Sequence, residues 1–97
     1  MARHLLSRLA DLDVQGIWLH VADDSVESAD RLMVRFTRAF ELLARNPELG
    51  QQQDHLRSGL RRFVVGRYLV FYLRQDEDIV VVRVLHGARD IGQGSFH

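Results

Sequence analysis

The sequence predicts an α+β domain: a helical hairpin laid on one face of an antiparallel sheet. Three observations carry this. Residues 60–91, LRRFVVGRYLVFYLRQDEDIVVVRVLHGARDI, alternate in the two-residue rhythm of strands and are broken by two reversals. Upstream, two stretches repeat apolar residues every three or four positions, as amphipathic helices do. Ninety-seven residues, 46% of them hydrophobic, suffice for one core and leave little room for a second, so residues 1–97 are expected to form a single domain.

Arg3 to Leu6 is a short apolar run, read as a strand at the sheet edge. Ser7 is placed to cap a helix whose first turn holds Asp11, where a negative charge meets the helix dipole favourably. Ala10, Val14, Ile17 and Val21 form its core stripe, with Trp18 beside it. Gly16 costs about 1 kcal/mol relative to alanine inside a helix, so close packing against a neighbour is expected there. Asp23-Asp24-Ser25 breaks the pattern and caps a second helix, Val26 to Arg45. Val26, Ala29, Leu32, Met33, Phe36, Ala39, Phe40 and Leu43 form its apolar stripe, with Met33, Phe36 and Phe40 assigned to the core. Asn46-Pro47 ends it, because proline disfavours helical angles in the residue before it. Glu48 to Gly59 is polar and reads as a loop of about a dozen residues, a length that is often functional in a small domain.

The meander follows: Leu60 to Val65, a tight reversal at Gly66, a middle strand, a loop at Gln75-Asp76-Glu77-Asp78, and Ile79 to Leu85. With the N-terminal edge strand this makes a four-stranded antiparallel sheet. On the middle strand Leu69, Phe71 and Leu73 are assigned to the face under the helices, and Tyr68, Val70 and Tyr72 to the outer face.

There is no cysteine, so neither a disulfide framework nor a thiolate metal site is available. His4, His20, His55 and His97 lack metal-ligand spacing, and there is no phosphate-cradling glycine loop or nucleophile elbow. No cofactor, metal or catalytic residue is therefore expected. No apolar run approaches the roughly 20 residues of a membrane span. Arg8, Asp11 and Asp13 interrupt any signal-peptide pattern, so a cytoplasmic protein without a membrane partner is expected. The net charge is zero, but residues 1–54 hold six arginines against nine acids and residues 55–97 hold seven against four. All thirteen basic residues are arginine, a side chain suited to forked contacts with carboxylate and phosphate; codon preference for arginine is the competing explanation.

The chain resembles the ParE branch of the ParE/RelE superfamily of bacterial type II toxins over nearly its whole length. The first helix carries the likeness in Leu6-Ser7, Ala10, Asp13, Ile17-Trp18, Val21-Ala22 and Ser25. Phe40-Glu41-Leu42-Leu43 and Asn46-Pro47-Glu48-Leu49-Gly50 carry it at the helix exit. The strongest portion is Gly59-Leu60-Arg61-Arg62-Phe63, Gly66-Arg67-Tyr68-Leu69-Val70-Phe71-Tyr72 and Arg83-Val84-Leu85-His86-Gly87-Ala88-Arg89-Asp90. The resemblance implies a ParD-like antitoxin as partner and one of two activities: poisoning DNA gyrase by protein contact, or cutting messenger RNA in the ribosome. The nuclease branch uses lysines, an arginine preceded by tyrosine on the middle strand, and often a tyrosine near the C-terminus. This chain has no lysine, has the order Arg67-Tyr68, and ends with Phe96 and His97. The proline that opens the first helix of many relatives is Arg8 here. The expected function is thus a gyrase-binding toxin, neutralised by its antitoxin and without sequence-specific nucleic-acid binding. A ribosome-dependent nuclease and a non-toxic binding module are the alternatives.

The candidate contact residues for target or antitoxin are Arg61, Arg62, Arg67, Tyr68, Tyr72, His86 and Arg89. Arginines beside exposed aromatics suit a protein interface. Arg57 is expected to join Arg61, Arg62 and Arg67 in a basic rim, against the plainer reading of solvated charge. His86 with Arg89 could also serve acid–base and phosphorane-stabilising roles, but capping the strand end needs no chemistry.

Overall fold

A computed structural model of the chain describes residues 2–88 and 91–96. The order is β1 (His4–Leu6), α1 (Arg8–Ala22), α2 (Val26–Arg45), β2 (Gln51–Gln52), β3 (Arg61–Val65), β4 (Tyr68–Gln75) and β5 (Asp78–His86), with a 3-10 turn at Gln93–Phe96. The two helix starts are capped as expected: Ser7 Oγ accepts from the Ala10 N–H and Ser25 Oγ from the Ser28 N–H. α2 stops at Arg45, one residue before Asn46-Pro47. Phe36 and Phe40 stack in the core, and Met33 packs against it.

The sheet order is β1-β5-β4-β3-β2. The meander β3–β4–β5 is antiparallel throughout. Val65 pairs with Tyr68 around Gly66, whose φ of +58° is the left-handed conformation that glycine takes freely. The second hairpin is tighter than the four-residue loop expected: Gln75 pairs with Asp78, leaving two loop residues, with Asp76 at φ 56°.

Two sheet details correct the sequence reading. β1 runs parallel to β5, so the sheet is mixed rather than wholly antiparallel. A three-residue apolar run carries no direction of its own; Asp78 supplies the fastening. Its carboxylate accepts from the Arg3 backbone N–H and guanidinium, and the backbone bond above all holds the carboxyl below the usual aspartate range. The sheet also has five strands rather than four, because Gln51–Gln52, inside the expected loop, pairs with Arg62 and Arg61.

The third correction concerns faces. Val70 and Tyr72 lie in the core beneath the helices with Phe36, Phe40 and Leu43, and Tyr68 packs against that core. Leu69 and Leu73 face the other way, around a second cluster of Leu60, Phe71, Leu85 and Phe96. The expected assignment is therefore reversed. Both faces of β4 are apolar, so alternation separates them without saying which one the helices cover. Phe96 folds back on Phe71 at 4.7 Å between ring centroids, which turns the outer face into a small second core.

α1 takes over where β1 ends. Ser7 N–H and Oγ bond the carbonyls of Val81 and Val82, and Asp13 Oδ2 accepts from the Val84 N–H at 3.0 Å. Val82 is the extra residue of a bulge, since Phe71 faces Arg83 while the next residue, Tyr72, faces Val81. Arg83 grips Asp13 with two hydrogen bonds of 2.8 and 2.9 Å and donates to the Ser95 carbonyl. One ion pair thereby ties helix, sheet and C-terminal turn together.

Candidate functional site

Three of the expected contact residues converge at one end of the sheet. Tyr68 and His86 are cross-strand neighbours, with rings edge to face at 5.4 Å. Tyr68 also meets Phe36 edge-on at 5.6 Å, and the half-buried ring joins the surface to the core. Arg67 sits on the adjoining turn, exposed, and its side chain has no hydrogen bond or ion pair among the described residues. The Gly87 N–H donates to the Arg67 carbonyl at 2.9 Å, and a Cβ at Gly87 would lie 3.3 Å from that oxygen. A side chain at this position would make a tight contact, and the β5 exit or the turn would have to give by a few tenths of an ångström.

His86 is exposed, and its Nδ1 accepts from the Ala88 N–H at 3.0 Å. This bond assigns the proton of the neutral ring to Nε2. His86 and Tyr68 line an open groove of about 450 Å³ whose other wall is α1, with Leu12, Gly16, Ile17 and His20. Gly16 has no atom within 4 Å of an added Cβ, so the close packing expected there is absent: the glycine opens the groove. Asp13 also borders it, but its carboxylate is committed to Arg83 and Val84. No group of three or more histidines and acids among the described residues could hold a metal. The site offers apolar floor, imidazole, phenol and guanidinium, which is the chemistry of a protein contact.

Arg61, Arg62 and Tyr72 lie elsewhere. Arg61 donates to the carbonyls of Glu48 and Gly50, and Arg62 to Gln51 Oε1. Arg57 donates to the Phe96 carbonyl. These arginines fasten the segment between α2 and β3 and the C-terminal turn, so the expected basic rim is divided. Tyr72 is 1% exposed rather than presented to a partner, because its hydroxyl accepts from the Gly50 N–H and donates to the Pro47 carbonyl. Arg89 falls outside the described residues.

Burial pushes the Tyr72 phenol above the ordinary tyrosine value. A raised value in the folded state means its contribution to stability is complete below the unfolded value and is lost as pH rises through the folded one. Absorbance titration of the two tyrosines is therefore expected to show Tyr72 ionising late, above about pH 10, together with loss of the fold. Ionisation of both tyrosines in the native protein at the ordinary value would contradict the buried hydrogen-bonded phenol.

The sequence reading overlooked the arginines that do stand near the β3–β4 turn. Arg35 and Arg38 of α2 line a shallow groove of about 290 Å³ with Ala39, Leu42, Phe63 and Val64. The Arg35 guanidinium nitrogens are 3.3 Å from where a Cβ on Gly66 would lie. Their spacing of three on the polar side of α2 was legible, but the turn they adjoin is about thirty positions away in sequence.

Residues 5–91 match the profile of the family described as ParE toxin of type II toxin-antitoxin system, parDE. The chain is 34% identical to Toxin ParE1 of Caulobacter vibrioides over 87 residues, covering 89% of this chain and 90% of that one. It is 30% identical to Toxin ParE3 of the same organism over 92 residues, covering 94% and 92%. A solved structure described as the chromosomal ParDE TA system from P. aeruginosa superposes with a TM-score of 0.74 at 17% identity, covering 89% of this chain and 96% of that one, a likeness of fold.

Proposed function

The chain belongs to the ParE toxin family, and from that premise we propose that it arrests bacterial growth by binding DNA gyrase and is neutralised by a ParD-like antitoxin. The observation that carries the reading beyond the family is the end of the sheet where Arg67, Tyr68 and His86 stand together beside an open groove. Arg67 has no internal role for its side chain among the described residues, and His86 uses one ring nitrogen. Such groups are available to a partner in a way that Arg61, Arg62 and Tyr72 are not. Action is by contact rather than by cleavage: among the described residues His86 has no carboxylate or nucleophile bonded to it, and Asp13, the acid lining the groove among them, is occupied by Arg83. No helix among the described residues is long and apolar enough to cross a membrane.

A supercoiling assay with purified gyrase and toxin tests the target. Inhibition at micromolar toxin with trapped DNA cleavage is expected. Arg67→Ala and His86→Ala should each weaken inhibition at least fivefold while leaving Tm within a few degrees, as for surface changes within about 0.5 kcal/mol. Undisturbed supercoiling would remove gyrase as the target. Codon-phased cuts in translated messenger RNA, read by primer extension, would replace the proposal with the nuclease. Normal growth after induction of the toxin alone would leave a binding module.

A further inference from the structure

β3 has an unpaired edge. β2 reaches only Arg61 and Arg62, and beyond it no strand of the described residues lies alongside Phe63 to Val65. The Leu60 carbonyl accepts from Gln53 on the β2 side, so the alternation of an antiparallel ladder directs the N–H and C=O of Arg62 and Val64 to that same side. Val64 thus offers both peptide groups at the open edge, and its side chain is 57% exposed. The groove beside it has Ala39, Leu42 and Phe63 as floor and Arg35 and Arg38 as rim, with Arg67 just past Gly66. The side chains of these three arginines have no hydrogen bond or ion pair among the described residues.

We propose that this edge receives an extended segment of the antitoxin as an added strand, with aliphatic residues over the α2 floor and carboxylates on Arg35, Arg38 and Arg67. The inference rests on the reading of the chain as one half of a toxin–antitoxin pair and assigns a location and a chemistry to that contact. Strand addition satisfies the Val64 peptide groups, and side chains at alternate positions read the groove. Charge selects the occupant. A second copy paired edge to edge would bring two sets of three arginines together, whereas an acidic segment matches them. A phosphate backbone can accept from the Val64 N–H but offers no donor to its carbonyl and leaves the apolar floor uncovered.

The test is hydrogen exchange on the toxin, alone and in complex with the co-expressed product of the adjacent gene, together with affinity for that product. Exchange at Val64 is expected to slow at least tenfold in the complex, and Arg35→Glu/Arg38→Glu to weaken binding at least tenfold with Tm of the toxin little changed. A complex that forms with Val64 exchange unchanged and with less than a twofold effect of charge reversal overturns the edge site and leaves the pair intact. Protection of Val64 that grows with toxin concentration alone assigns the edge to a second copy and overturns the proposal. If no complex forms at all, the pair reading fails and the edge site with it.

Discussion

Replacing Arg83 with methionine is expected to lower Tm by more than ten degrees. The Arg83 and Asp13 side chains are each 13% exposed and joined by two short hydrogen bonds. The hydrogen bonds to Asp13, more than the opposing effect of burial, raise the Arg83 pKa, so the guanidinium keeps its charge. Removing one partner strands the other charge in a place water barely reaches, at a cost of roughly 3 kcal/mol. In a domain of this size each kcal/mol is worth about 4–8 °C. Arg83 also holds the Ser95 carbonyl, so its loss frees the turn that seats Phe96 on the outer face of the sheet. Asp13→Leu/Arg83→Met should recover much of the loss, since an apolar pair leaves no charge unpaired. Thermal unfolding of the two singles and the double decides it. Singles melting within a few degrees of the parent would show the pair to be exchangeable with water.

Much of this architecture could be read from the chain because local signals and tertiary needs agree. Ser7, Ser25, Asn46-Pro47 and Gly66 each mark a boundary through the chemistry of one or two residues, and each boundary is where the structure has it. What depends on distant partners was not legible. β1 takes its direction beside β5, where Asp78, more than seventy positions away, accepts from the Arg3 N–H. The facing of β4 is decided by Pro47 and Gly50, which give the Tyr72 hydroxyl its partners, and by Phe96, which covers the opposite side. The sequence names arginines as contact residues but not which are already occupied: Arg61 and Arg62 read like Arg67 until their hydrogen bonds are seen. Arg35 and Arg38 looked like the solvated side of a helix because the strand edge they border is assembled from another part of the chain.

Tyr72 shows how the distinction between contact and scaffold can be measured. Tyr72→Ala is expected to abolish growth arrest by removing the fold rather than a contact. Truncating a buried aromatic costs about 3–5 kcal/mol, a large part of the roughly 5–15 kcal/mol that holds a domain together. The hydroxyl has its own share. Tyr72→Phe leaves the Gly50 N–H and the Pro47 carbonyl without their partner and should cost about 1–3 kcal/mol. Gly50→Ala attacks the same joint from the other side: its methyl would overlap the Tyr72 hydroxyl and ring, so ring and segment must part, at about 1–3 kcal/mol for such overpacking. Arg61, which donates to the Gly50 carbonyl, resists that movement. All three variants are expected to lose toxicity in proportion to lost Tm, measured by thermal unfolding alongside growth after induction. His86→Ala should lose toxicity with Tm unchanged. A Tyr72→Ala protein that melts like the parent yet fails to arrest growth would return Tyr72 to the contact surface and require the sheet to present that face to a partner.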